Sequence, residues 1–510
     1  MRHTDIVTAD EAIAVVHDGH TVAIQGSGGG VNEPTALIKA LGARYQTTGS
    51  PSGITLLHAT GLGDRDTLGA DALAFPGLVK RDIAGHLGMA DKMGKLIQEN
   101  RLECYNIPQG VISHLFSAIA SRKPGVITKV GLRTFVDPRL EGGKVNDVTT
   151  EDYVQLVEFA GEKWLFYPCI HIDAAFVRGT TADEAGNISM ENEAAILEGL
   201  SIAQAARACG AAVVAQVKRM VPTGSIDPRI VKIPGMYVDY LVVDPAQKQH
   251  TLAEYDPSLS GETPVALAKL VPAEPGAKRI IGLRAVRELT PGAVVNLGVG
   301  VPSYVAAVAT EKGIIDKITF TVEQGIIGGR PVGGIIFGVS HNPEAIIGED
   351  RQFDFYDSGT LDVAFLGMAE TGAKGDVNVS KVGSLLAGCG GFINISQSAQ
   401  KVVFCGTFTA KGLKTRALNG KLIIESEGSV RKFVENVAQV TFSGEYSSEI
   451  DQEVLYVTER AVFTLDDGRV KLVEIAPGME LSRDVLAHMD FTPEIAEPLP
   501  LMESAIFDGQ

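Results

Sequence analysis

"TADEAIAVVHDGHTVAIQGSGGGVNEPTALIKAL", residues 8–41, reads as helix, turn, strand, glycine loop and helix. Thr8 and Glu11 stand at capping-box spacing, and Gly19 is placed to stop the first helix. The same order returns in "IIGLRAVRELTPGAVVNLGVGVPSYVAAVATEKG", residues 280–313, where Pro291-Gly292 ends a helix and Pro302 starts the next. A second echo follows each copy: "GITLLHATGLG" (53–63) and "KITFTVEQGIIGG" (317–329). Strands alternating with helical segments favour parallel pairing. The repeat therefore predicts a duplicated α/β unit, with ligand sites at the carboxyl ends of its strands.

Between the copies, residues 244–279 hold five prolines and little periodicity. The expected organisation is one open α/β domain over 1–244, a linker over 245–278 and a second open α/β domain over 279–510, with mainly parallel sheets. The chain of 510 residues is long enough for such a pair, and 45% hydrophobic with 21% charged residues is an ordinary globular balance.

The formal charge of −17 argues against broad binding to nucleic acid or anionic lipid, although a local basic pocket can still take a polyanionic ligand. Five scattered cysteines without CxxC spacing suit a reducing compartment better than a disulfide framework or a zinc site. The polar opening residues do not resemble a signal peptide, and no run reaches the ~18 apolar residues that span a bilayer. A cytoplasmic protein is expected, with no membrane or nucleic-acid partner and no bound metal. No H-E-x-x-H, Walker A or G-x-S-x-G motif supports metal hydrolysis or serine-hydrolase chemistry.

The candidate sites begin with Glu323. "ITFTVEQGIIGG" (318–329) alternates like a strand, then presents a carboxylate before a glycine-punctuated apolar run. One reading is a solvated strand end. The other is a poorly hydrated, nucleophilic carboxylate collared by Val322, Ile326 and Ile327, with space left by Gly325, Gly328 and Gly329. Two glycine loops, containing Gly28 and Gly29 in "GSGGGVNEP" (26–34) and Gly298 and Gly300 in "GVGVPS" (298–303), follow strands and open helices. They are either anion-binding or simple βα turns. Neither carries a full dinucleotide fingerprint with its acidic ribose partner, which leaves a nicotinamide-dependent oxidoreductase as a weak alternative. A non-catalytic effector-binding protein is another, and it gives Glu323 no task. Gln109, between Pro108 and Gly110, either begins a helix or presents a fixed amide to a carboxylate. Lys218, Arg219, Arg229 and Lys232 form a basic stretch that is either a phosphate contact or a solvated loop. The turn "LLAGCGGFINIS" (385–396) offers backbone N–H groups around Gly388, Gly390 and Gly391. Its Cys389 lacks a nearby histidine and reads as packing rather than as a thiolate nucleophile.

Taken in register, "GSGGGVNEP", "GHLGMADKMGKLI", "YNIPQGVISHLF", "VGLRTFVDPRLEGGK", "ADEAGN", "GVGVP", "TVEQGIIGG" and "GCGGFINIS" resemble the family I coenzyme A transferases of the fused two-domain type, which act on propionate and other short-chain acyl-CoA. The resemblance covers nearly the whole chain. It implies the CoA-transferase fold, with the active site between two related halves, and Glu323 as the acyl-accepting nucleophile of a ping-pong reaction through a glutamyl-CoA thioester. It further implies oxyanion support from Gly388 and Gly390, orientation of the acid by Gln109, and a CoA channel lined by Gly298 and Gly300. CoA would be substrate and covalent intermediate rather than a tightly bound cofactor. Partners would be short-chain acids, including those of ketone-body metabolism, and the assembly a homo-dimer or homo-tetramer. The loop "GLGDRDTLGADALAF" (61–75) departs from the version associated with close members.

Overall fold

The computed structural model describes residues 4–267 and 273–508. Its first sheet contains β1 (Asp5–Ile6), β2 (Thr21–Ile24), β3 (Ile54–His58), β4 (Val79–Ala84), β5 (Glu103–Asn106), β6 (Ala174–Asp183), β7 (Ala212–Val221) and β8 (Tyr240–Val243), in the order β1-β8-β7-β6-β2-β3-β4-β5. Every neighbour in that order runs parallel. Both faces are covered, so β6 can be buried along its whole length, as "AAFVRGTTAD" is.

The second sheet contains β9 (Val294–Leu297), β10 (Thr319–Val322), β11 (Ile326–Ile327), β12 (Ala345–Ile346), β13 (Val363–Gly367), β14 (Lys401–Cys405), β15 (Glu453–Val457), β16 (Ala461–Asp466), β17 (Arg469–Ile475) and β18 (Glu494–Ile495). Their order is β12-β11-β10-β9-β13-β14-β15-β16-β17-β18. The stretch from β10 to β15 is parallel, and antiparallel hairpins extend it on both sides. The two sequence echoes occupy equivalent places. β2 leads through a glycine loop into helix α1 (Thr35–Thr48) and on to its neighbour β3. Helices α2 (Gln109–Ala120) and α3 (Gly199–Cys209) belong to the first half, and β9 leads through the second loop into α4 (Ser303–Glu311) and on to β10.

Two expectations change. The N-terminal capping box forms, but the α-helix is only Ala9–Ala12, followed by a 3-10 turn over Ile13–Val15. Gly19 lies beyond both, at φ +76°. The proline-rich stretch is also no loose tether where it is described; its residues 268–272 lie outside the described residues. Gln247 Nε2 donates to Gly179 O at 2.9 Å, and Thr251 N donates to Gly29 O at 2.8 Å. Ser258 Oγ then meets His341 Nδ1 at 2.7 Å, and Val265 N donates to Asn342 Oδ1 at 2.8 Å. Side-chain and backbone hydrogen bonds thus draw this segment down onto both halves although its composition predicts no element.

The first turn of α2 seats against the second half. Gln109 N donates to Gly390 O at 2.9 Å, and Gly110 N donates to Asn394 Oδ1 at 3.3 Å. A Cβ on Gly110 would stand 2.5 Å from Phe353 and 2.6 Å from Asn394, so the approach requires glycine. The facing surfaces are α5 (Glu349–Asp357) and α6 (Phe392–Ser398). Cys389 and Ile393 join the same buried apolar cluster as Val111, Ile112 and Leu115 of α2. Gln397 of α6 accepts from Gly131 N at 2.6 Å and donates to Leu132 O at 3.0 Å.

Candidate active site

β10 ends in a tight hairpin: Val322 pairs with Ile326, and Glu323, Gln324 and Gly325 make the turn. Gly325 adopts φ +93°, and a Cβ there would lie 2.2 Å from Ile347 O, so the turn closes only with glycine. This geometry presents Glu323 to a cavity of about 290 Å³ between the two sheets. Ser27, Gly28, Thr60, His86 and Gln109 form one wall, and Gly298, Leu366, Phe392 and the turn over Gly388–Gly391 form the other.

The Glu323 carboxyl is partly buried; its own backbone N–H is its donor, and no other residue's hydrogen bond or ion pair reaches it among the described residues. Burial raises its pKa to about 7 from the ordinary 4.5. The apolar collar is built differently from the sequence expectation. Val322 and Ile326 are buried in a separate cluster with Leu197 and Val339, whereas Phe337, Leu366, Phe392 and Ile395 line the cavity. A Cβ on Gly391 would stand 3.3 Å from Glu323 Cβ and Cγ, so the glycine turn lies directly against the carboxyl stem.

Within that turn, Gly388 N donates to Ser380 O at 3.0 Å and Gly390 N to Gly85 O at 2.7 Å. The expected oxyanion donors are therefore already engaged. Gly391 N–H makes no hydrogen bond among the described residues. Cys389 N donates to Asn106 Oδ1 at 2.8 Å, and burial drives its thiol pKa far up, which suits packing.

Gln109 lines the cavity, its Nε2 donating to Glu349 Oε1 at 3.0 Å. Gly28 and Gly298 line it too. Gly29 and Gly300 do not: Gly29 makes room for Ile335 and Ile336 of the second half, and Gly300 is exposed. The first glycine loop is held by protein. Buried Arg178 donates to Gly30 O and Glu33 O at 3.3 and 3.0 Å and pairs with Glu193 at 3.0 Å. Lys218 and Arg219 lie away from the cavity, paired with Glu254 at 3.1 Å and Glu191 at 2.7 Å. Arg229 pairs with Asp227 at 2.6 Å, and Lys232 lines a different groove.

The cation at the cavity is Arg65, which the sequence reading passed over inside the divergent 61–75 loop. Its Nε donates to Gly88 O at 2.9 Å and its backbone N to Met89 O at 2.8 Å. His86 stands on the same wall, its pKa lowered to about 4 by burial, then by Arg65 and His58, so it is neutral. The local signal for both was a polar residue in a glycine-rich loop, which is too common to single out.

A sequence profile described as Coenzyme A transferase matches residues 6–244. The caffeate CoA-transferase of Acetobacterium woodii is 46% identical over 512 residues, covering 98% of this chain and 97% of that protein. The acetate CoA-transferase YdiF of Escherichia coli K12 is 42% identical over 503 residues, covering 98% of this chain and 95% of that one. The crystal structure of the acyl-CoA transferase YdiF from E. coli O157:H7, a thioester complex with CoA, superposes with a TM-score of 0.94 at 41% identity, covering 99% of this chain and 96% of that chain.

Proposed function

The chain belongs to the family I coenzyme A transferases, and on that premise we propose that it moves CoA from a short-chain acyl-CoA to a free carboxylic acid through a covalent thioester on Glu323. The observation that carries this reading is the Glu323 carboxyl itself: it lies at a cavity wall, without a hydrogen-bonding or cationic side-chain partner among the described residues, its proton affinity raised by burial.

In the ionised form, a Glu323 oxygen attacks the thioester carbonyl, the C–S bond breaks, and CoA leaves as thiolate with the acyl group held as a mixed anhydride. The thiolate then attacks the glutamyl carbonyl, and the first acid departs as carboxylate. A second carboxylate reverses both steps. No proton and no water is consumed, so the energy of the thioester is retained. Poor hydration of the carboxylate favours attack, and the apolar wall of Phe392, Ile395 and Leu366 supports the exclusion of water that would hydrolyse the anhydride. Holding the thiolate beside the anhydride contributes up to about 7–11 kcal/mol in well-oriented cases, and binding of the chemically idle part of CoA offsets the cost of that placement. We assign Gly391 N–H to the developing oxyanion, because the neighbouring Gly388 and Gly390 donors are engaged. Gln109 orients the acid, and Arg65 at the cavity offers charge to an anionic reactant.

Acetyl-CoA added to the purified protein is expected to give a CoA adduct in intact-mass spectra, mapped to the peptide bearing Glu323. The Glu323→Gln protein should bind CoA and form none. A folded wild-type protein that acquires no adduct, or an adduct that persists in Glu323→Gln, overturns the proposal.

A further inference from the structure

Glu349, the first residue of α5, has no exposed surface and stands directly behind Gln109. Its Oε1 accepts from Gln109 Nε2 at 3.0 Å and from Ser113 Oγ at 2.9 Å. Among the described residues its Oε2 has no donor, and the two oxygens of buried Glu198, whose carboxyl adjoins it, meet no other residue's donor; only Glu198's own backbone N–H lies near them. Three buried carboxyl oxygens thus adjoin one another with no side-chain donor or cation bonded to them among the described residues. Two ionised carboxylates cannot persist in that arrangement, and one shared proton resolves it. A hydroxyl on Glu349 Oε2 donates to Glu198, leaving Oε1 as the carbonyl that Gln109 and Ser113 already address.

The charged surroundings agree. Asp350, held by Ser201 Oγ at 2.9 Å and Ser117 Oγ at 3.3 Å, adds negative charge beside Glu198. Glu323 adds it from the cavity side of Glu349. His58 acts on Glu198 in the opposite sense, but its ring is committed to Asp82 Oδ1 at 3.0 Å and Thr60 O at 2.5 Å. Burial first, and then these carboxylates, raises the proton affinity of both members of the pair. Glu198 also borders a separate groove of about 790 Å³, with Arg207, Lys232 and Arg351 on its rim, through which the pair can exchange its proton with solvent.

We infer that Glu349, sharing one proton with Glu198, is a positioning residue for the transfer reaction: it fixes the Gln109 amide and keeps a second negative charge away from Glu323. This rests on the transferase reading above. With Nε2 turned toward Glu349, Gln109 leaves its Oε1 and second N–H for the cavity, where Oε1 lies 3.6 Å from the point a Cβ on Gly390 would occupy. Loss of the shared proton at alkaline pH sets two charges behind the nucleophile and repels the incoming acid.

The test compares Glu349→Ala, Glu349→Gln and wild type in the rate of adduct formation from acetyl-CoA, in the KM for acetate and in their pH profiles. Glu349→Ala is expected to slow adduct formation about 10–100-fold and to raise the KM for acetate. Glu349→Gln, whose amide can accept from Gln109 and donate to Glu198, is expected to recover most of that loss and to lack the alkaline decline of wild type. In the wild-type minus Glu349→Gln infrared difference spectrum, the carbonyl stretch of one additional protonated carboxyl should appear, over the contribution of Glu323 that the two proteins share. Wild-type rates in Glu349→Ala overturn the inference. So does a Glu349→Gln protein that melts like wild type yet is as slow as Glu349→Ala, or an unchanged alkaline limb with no such difference band. Absence of any adduct in wild type strikes the transferase reading; an adduct that forms indifferently to Glu349 strikes this inference alone.

Discussion

A buried carboxyl group that meets no other residue's donor holds its proton tightly, and burial, opposed only by its own backbone N–H, has raised Glu323 from the ordinary 4.5 to about 7. Two consequences follow at this scale. Attack requires the ionised form, so adduct formation should fall as pH drops through about 7, measured as the initial rate of CoA attachment. Stability runs the other way. Between the unfolded value near 4.5 and the folded value near 7 the native state binds more protons, so stability is lost as pH rises across that window. Glu323→Gln, which removes the ionised group, should therefore stabilise the protein at about pH 8 by on the order of 1–3 kcal/mol, seen as a higher melting temperature, and have little effect at about pH 5. Equal melting of the two proteins at the higher pH would show that the carboxylate is better solvated than its surroundings indicate. Glu323 was legible because a strand rhythm ended on it. Glu349 was not, because its partner Gln109 lies 240 positions away and nothing local marks it.

At the scale of elements, the site depends on how closely the glycine turn lies against the β10 hairpin. A Cβ on Gly391 would come within 3.1 Å of Phe353 Cζ as well as 3.3 Å of the Glu323 stem, so one side must yield. Gly391→Ala is expected to slow adduct formation about 10–100-fold, as a small displacement of reacting groups does, while far-ultraviolet dichroism stays unchanged. A wild-type rate in that variant would mean the carboxyl has slack. Helix, strand and glycine-loop order could be read from the two echoes, since capping, turn and alternation signals are local. Glycine function could not. Gly29 and Gly298 look alike in sequence, yet one admits the Ile335–Ile336 backbone and side chain while the other lines the cavity. Basic residues mislead in the same way: Lys218 and Arg219 have acidic partners supplied by distant segments.

The whole molecule is held together by contacts that cross between the sheets. Gln397 bridges them with hydrogen bonds of 2.6 and 3.0 Å, and both its partners are backbone groups. Gln397→Ala leaves the Gly131 N–H and Leu132 carbonyl unpaired, at about 1–3 kcal/mol for each buried group. The single tryptophan, Trp164, belongs to the first half. Its fluorescence and the far-ultraviolet signal should report one common thermal transition in wild type and separated transitions in Gln397→Ala. Coincident transitions in the variant would place the coupling elsewhere in the interface.

The first turn of α2 is encoded in one half of the chain and seated in part against the other, with Gly110 against Phe353 and Asn394. Recombination between distant relatives within the connecting stretch would give one parent's key to the other parent's lock. Hybrids of that kind should be inherited as inactive unless both pieces of the fit travel together, so the two ends of the chain are bound to a shared history.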